Sequence, residues 1–305
     1  MTRQRVKQGV LLAVAVGCVA AGAGVVVAEQ RPPQTGRDAG SVVRDLTAQE
    51  KSRLYRAEQL LLRDCMRERG FVYRPVPQDP VPQAREFPYV LDDVAWARKH
   101  GYGSDIQREL TRVREEDVNQ RYFRSLPADR RAQALRAAHG RDTKGVTAHA
   151  PDGMVLQRSA EGCQSHAERV LYGDLAAWFQ ARVTLDSLPG IRHGQVMDDP
   201  AFARAVEPWA RCMRANGHRY ASPAQLRKDA LPRPGEPALA KRKEIRLAVA
   251  EARCAADSGL ARTAHALDRT HTVRIHHQYR SALDTARRLQ RGALPRADEV
   301  IDDTR

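Results

Sequence analysis

Cys65-Met66-Arg67-Glu68-Arg69-Gly70-Phe71-Val72-Tyr73 and Cys212-Met213-Arg214-Ala215-Asn216-Gly217-His218-Arg219-Tyr220 are two copies of one nonapeptide. Five of the nine positions coincide, and the copies begin 147 residues apart. Neither sits in low-complexity sequence, so the pair reads as one structural unit built twice around a cysteine. Each shared residue type suits the end of a helix. Cysteine is the staple, methionine fills the core, glycine takes the left-handed backbone that stops the helix, and tyrosine packs back over the last turn.

The sequence before each copy supplies the helix. Thr47-Ala48-Gln49-Glu50 is a capping box, in which the threonine hydroxyl and the glutamate carboxylate satisfy backbone amides at a helix start. It predicts a helix to about Arg69 with Leu54, Leu61 and Cys65 on one face. Asp199-Pro200 opens the second, and Phe202, Val206, Trp209 and Met213 recur at helical spacing as its buried stripe. Pro75-Val76-Pro77 prevents continuation after the first copy.

At the N-terminus, Arg3, Arg5 and Lys7 precede twenty uncharged residues, Gly9 to Ala28. That is an export signal or a membrane anchor with its basic flank on the cytoplasmic side. Three fates are open for residues 1–28: retention as a transmembrane helix, cleavage before Glu29, or lipidation at Cys18, where Ala15-Val16-Gly17-Cys18 approximates a lipobox. Residues 29–45 read as a flexible tether, and the expected location is the outer face of the cytoplasmic membrane or the exterior.

Four cysteines remain in the exported part: Cys65, Cys163, Cys212 and Cys254. An even count in an exported chain reads as disulfides. Each nonapeptide cysteine is followed by one further cysteine before the next copy or the end. The predicted pairs are therefore Cys65–Cys163 and Cys212–Cys254. A metal centre fits less well, because no Cys-x-x-Cys occurs and His166 is the one histidine near a cysteine in sequence.

Elsewhere the apolar period is helical, with helices expected near 92–100, 104–125, 127–139, 159–172, 174–187, from Ser222-Pro223, and in one or two long stretches from 237 to 291. Residues 141–157 are the exception and suit a small β-hairpin turning at Asp152-Gly153. The fold class is thus mostly α: two diverged disulfide-stapled helical repeats, 46–189 and 190–291, after the export segment, with a disordered tail at 292–305. A proline-rich break falls at 231–237.

The net charge is +14, or +11 without residues 1–28, so the exported surface should attract polyanions. Outside a cytoplasmic membrane these are anionic lipids or wall polymers, not nucleic acid. Arg262, Arg269, Arg280, Arg287 and Arg291, with His276, form a stripe opposite an apolar seam of Leu260, Ala264, Leu267, His271, Ile275, Tyr279, Ala282, Ala286 and Leu289. The stripe is the candidate polyanion-binding face, and His271 reads as a seam residue. No catalytic, cofactor or metal motif is present: there is no Gly-x-Ser-x-Gly, His-Glu-x-x-His, phosphate loop or dinucleotide fingerprint.

The repeated Cys-Met-Arg-x-x-Gly-x-x-Tyr, Tyr102-Gly103, Gly162-Cys163 and Arg253-Cys254 resemble a group of uncharacterised secreted or lipoprotein-like proteins of actinomycetes. The resemblance implies export and architecture, and no activity. The expected function is that of a membrane-tethered extracytoplasmic protein acting by binding, with an envelope protein, anionic lipid or wall polymer as partner. It would be accessory to a transport, wall-assembly or sensing system. The alternatives are an enzyme acting on an envelope polymer through a site assembled between the halves, and a passive polyanion binder.

Overall fold

The nonapeptide closes a helix in the same way twice. In the computed structural model, which describes residues 44–230 and 241–304, α1 runs Ala48–Glu68 and starts on the complete Thr47/Glu50 capping box. At its end Gly70 has φ +78°, its N–H donates to Arg67 O, and the Phe71 N–H donates to Met66 O. Helix α8, Pro200–Ala215, starts on Asp199 and ends on Gly217 at φ +81°, with the Gly217 N–H on Arg214 O and the His218 N–H on Met213 O. Both are Schellman closures. The staples are Cys65–Cys163 and Cys212–Cys254, with Cα separations of 5.5 and 5.6 Å.

Among the described residues there are twelve helices and one two-stranded sheet. Between α1 and α8 lie α2 (Val94–His100), α3 (Ser104–Glu115), α4 (Val118–Ser125), α5 (Ala128–His139), α6 (Cys163–Tyr172) and α7 (Leu175–Met197). After α8 come α9 (Pro223–Ala230), α10 (Lys241–Asp257), α11 (Leu260–Gln278) and α12 (Arg280–Asp302). The predicted hairpin is present as antiparallel β1 (Val146–His149) and β2 (Val155–Arg158), registered Val146 to Arg158 and His149 to Val155. The turn between them contains Asp152-Gly153, and β1 lies on α7 through Ala148, Phe179 and Val183.

Several elements depart from the periodicity. The helix expected over 104–125 is broken because the Asp117 carboxylate accepts the Gln120 N–H and starts α4 anew. Helix α6 starts at Cys163 instead of Ser159, since Gly162 holds φ +97°. Helix α7 continues past Ser187 through Pro189. The proline forfeits one hydrogen bond, at a cost of roughly 3 kcal/mol. Burial on both sides offsets this, with Trp178 and Ala181 in one core and Val196 in another. Of the stretch expected as one or two helices from 237 to 291, the described part, from Lys241 on, is three helices, divided at Gly259 and Tyr279. The tail expected to be disordered at 292–305 is instead helical to Asp302. Ala293, Ala297 and Ile301 extend the seam of Ala286 and Leu289 at steps of three and four, and all are buried against the first core.

Packing redistributes the two halves. One core gathers α1, α6, α7 and α12 around Leu54, Leu171, Trp178, Ala286 and Ile301. Another gathers α8, α9, α10 and α11 around Trp209, Met213, Leu226 and Leu260, and takes in Tyr89 and Val90 from the first half. The last helix of the chain thus completes the first repeat, a segment of the first repeat completes the second, and α7 enters both cores. The described residues form one compact unit. No helix among the described residues is long and apolar enough to cross a membrane. The apolar run 9–28, Cys18, the tether to Val43 and the proline-rich break lie outside the described residues.

Candidate functional site

The first nonapeptide turn opens onto a cavity. The carbonyl ends of α1 and α5 meet the start of α6 there, beside the Cys65–Cys163 staple. Gly140, at φ +88°, and Gly162 pack backbone to backbone, and a Cβ on Gly162 would collide with the Gly140 amide. Beside this contact lies a cavity of about 830 Å³. That is within the range of roughly 300–1,000 Å³ usual for small-molecule sites.

Four arginines line it, Arg69, Arg136, Arg141 and Arg169, with His166 and a single acidic residue, Glu161. Two of the arginines are fixed by backbone: Arg69 Nη1 donates to Ala137 O at 3.2 Å, and Arg169 Nη2 to Ala160 O at 2.6 Å. Arg136 and Arg141 make no side-chain hydrogen bond or ion pair with the described residues. Arg69, Arg136 and Arg141 lie at or just beyond the carbonyl ends of α1 and α5, where cations are favoured by the helix dipole. That explains the presence of positive charge there, while the surplus of four arginines over one glutamate remains available to a ligand. Phe71 forms one wall and is itself held by Arg130, whose guanidinium lies 4.4 Å from the ring centre.

The second turn carries a smaller cavity at the equivalent place. It has about 420 Å³ and is lined by Asn216 and His218, the same two nonapeptide positions that Arg69 and Phe71 occupy in the first copy. Asn216 turns inward: its Nδ2 donates to Cys212 O at 2.9 Å and lies within 3.8 Å of both staple sulfurs. Arg246 and Arg253 face Asp257 across an apolar floor that includes Ile245 and Val249. Charge is nearly balanced here.

A third polar cluster joins the halves. Glu244 and Glu251, seven residues apart on α10, are both buried and both point at the segment 91–105. Glu244 accepts the N–H groups of Tyr102 and Ser104 and the Ser104 hydroxyl, at 2.8, 3.1 and 2.5 Å, and so caps α3 from a distance where Gly103 cannot. Glu251 accepts the Leu91 N–H at 3.1 Å, and burial pushes its carboxyl upward in pKa. Lys241 Nζ donates to His100 O, Ser104 Oγ and Asp105 Oδ1. Burial works to raise the Asp105 carboxyl, but the hydrogen bonds from Lys241 and His100 outweigh it and hold it at about 2. Ser104 and Lys241 are 3.1 Å apart, as in a serine–lysine nucleophile pair. With the ammonium already donating to a carbonyl, a carboxylate and the serine oxygen, it has no lone pair to take the serine proton. The cluster is a tertiary helix cap.

The predicted arginine stripe is divided by the break at Tyr279. Arg262 and Arg269 are on α11, Arg280 begins α12, and two members are already engaged: Arg287 with Asp45 at 2.6 Å and Asp284 at 3.1 Å, and Arg291 with Arg44 O at 3.2 Å. Arg287 and Arg291 therefore pin the start of the folded unit. His271 is buried in the seam, 3.1 Å from Gln195 Oε1. Among the described residues no group of three or more His, Cys, Asp or Glu side chains is placed to hold a metal ion. No protein-family model, curated protein or solved structure matches the chain. The site rests on its own geometry.

The arginines of the first cavity were not among the sequence-predicted site residues, because they come from three stretches separated by up to a hundred residues. The signal that connects them is the staple. Arg69 follows Cys65 by four residues and Arg169 follows Cys163 by six, so the predicted pairing already brings those two together.

Proposed function

We propose that this is an exported, membrane-tethered protein of the outer cytoplasmic-membrane face that acts by binding, with the cavity at the first nonapeptide turn as its recognition site for an anionic partner. The observation that carries the reading is the gathering of four arginines around one open cavity, two of them with no side-chain acceptor among the described residues. The two disulfides suit an oxidising compartment. The basic flank and twenty-residue apolar run at the N-terminus supply the address. An arginine-rich cavity concentrates anions by field as well as by contact, so its occupancy should weaken with salt.

The test is site-specific photo-crosslinking in cells of the source organism. A crosslinker is placed at Gln133 on the cavity rim and, as a control, at Ala256, an exposed position of the second repeat. A discrete adduct from position 133 that is absent from position 256 supports the reading. Identical adducts from both positions, or none from position 133, contradict it.

A further inference from the structure

We infer that the first cavity takes a ligand bearing two adjacent phosphoryl groups, a diphosphate; this rests on the binding reading above and narrows it to one chemistry. Four arginines against Glu161 leave a local surplus of three positive charges. The guanidiniums border a single cavity, so the charge they match is compact. A diphosphate places about three negative charges in one small group, whereas three carboxylates need three separate arms. Guanidinium groups pair with phosphoryl oxygens two bonds at a time, which fixes the anion in orientation as well as place.

The arginines divide the work. Arg69 and Arg169 each spend a donor on a backbone carbonyl and so hold their planes in fixed positions. Arg136 and Arg141 spend none on the described residues and are free to close on an incoming phosphoryl group. Gly140 and Gly162, both at the cavity, let the end of α5 and the start of α6 touch backbone to backbone, which brings Arg136 and Arg141 to the same place as Arg169. Phe71, beside the nonapeptide glycine, lines the cavity with its phenyl ring. It offers a surface for whatever organic group the diphosphate carries. Two sources share that chemistry: a soluble diphosphate, and the diphosphate head of a membrane lipid, which a tethered protein would meet in the plane of the membrane.

The experiment is calorimetric titration of the full-length oxidised protein at constant ionic strength with four probes: sodium pyrophosphate, orthophosphate, poly-L-glutamate, and vesicles with and without a polyprenyl diphosphate. The expected result is pyrophosphate binding at least tenfold tighter than orthophosphate. It should fall at least tenfold in R136A/R141A, fall partly in R136K/R141K, and be unchanged in R262A/R269A. Both arginines are exposed, so the variants should fold, and unchanged thermal melting checks this. Stronger retention by diphosphate-bearing vesicles than by plain anionic ones assigns the lipid source; equal retention with tight free pyrophosphate assigns the soluble one. If poly-L-glutamate binds through Arg136 and Arg141 as well as pyrophosphate does, the diphosphate inference fails while the anion-binding reading stands. If no anion binds, both fail.

Discussion

The two nonapeptide turns share a backbone and differ in chemistry. Both close on a glycine with the same pair of hydrogen bonds, both are stapled at their first residue, and both present their fifth and seventh residues to a cavity. In the first, those residues are Arg69 and Phe71, and arginines from α5 and α6 join them. In the second they are Asn216 and His218, and the asparagine folds back onto the staple. The scaffold thus fixes where a site can be, and the side chains brought to it, one from the nonapeptide and three from α5, the residues after it and α6, decide whether charge collects there.

The buried glutamates extend the contrast. Glu168, on α6 beside the first staple, is ion-paired with both Arg158 and Arg182. Glu251, three residues before Cys254, accepts the Leu91 N–H, has the Tyr102 hydroxyl beside it and forms no ion pair among the described residues. Glu168 is thus paired with two cations, whereas Glu251 relies on neutral hydrogen-bond donors.

The largest test of the equivalence is removal of each staple. The Cys65–Cys163 bond closes a separation of 98 residues and Cys212–Cys254 one of 42. In the chain-entropy account these stabilise by about 4.7 and about 3.9 kcal/mol. Chemical denaturation of C65S/C163S and C212S/C254S should therefore show two large losses, the first slightly greater. A staple whose removal costs almost nothing would break the symmetry. Next in size is glycine replacement. Gly70→Ala and Gly217→Ala each force a Cβ into left-handed backbone, where an added Cβ meets no heavy atom within 4 Å at Gly217 and only the Arg130 side chain at Gly70. Each should cost about 1–2 kcal/mol, nearly equal, because the penalty is local backbone strain. Unequal costs would mean that the closures differ more than their hydrogen bonds indicate.

The helix starts come third. Thr47→Ala removes the hydroxyl that accepts the Glu50 N–H and should cost about 1 kcal/mol, measured by thermal melting. Smallest, and opposite in sign between the halves, is the response to pH. The hydrogen bond from Arg44, and then the Thr47 N–H, hold Glu50 at about 2. Its contribution is present above its ordinary value of 4.5 and is lost as pH falls toward 2. Glu251 is raised by burial, so its favourable contribution is full below 4.5 and is lost as pH rises through its folded value. Urea midpoints across pH 3 to 8 should show E251Q flattening the alkaline limb, since an amide oxygen can still accept the Leu91 N–H. An unchanged alkaline limb would show that Glu251 is not the group responsible.

Local chemistry made much of this fold legible. The capping box at Thr47, the stops at Gly70 and Gly217, the hairpin around Asp152-Gly153 and the Asp199-Pro200 start each depend on a few adjacent residues, and those readings match the structure. What periodicity could not show is decided by tertiary contact. The helix expected over 174–187 runs on through Pro189 as α7 because both neighbouring cores hold it. Residues 292–302 read as a polar tail, yet Ala293, Ala297 and Ile301 carry a stripe that finds its partner only across the first repeat. The arginine stripe follows helical spacing on one continuous helix, whereas the chain breaks at Tyr279 and Arg287 and Arg291 are used internally. The cationic cavity escaped because its four arginines share no local pattern and meet only where the staple and two facing glycines bring three segments together.

The central claim is that one turn, built twice, is a binding site in the first copy alone. Hydrogen–deuterium exchange of the oxidised full-length protein with and without pyrophosphate tests it most directly. The account predicts slowed exchange in peptides covering 133–141 and 160–169, with 212–218 and 246–257 unchanged. Protection confined to the second turn, or equal at both, would contradict it.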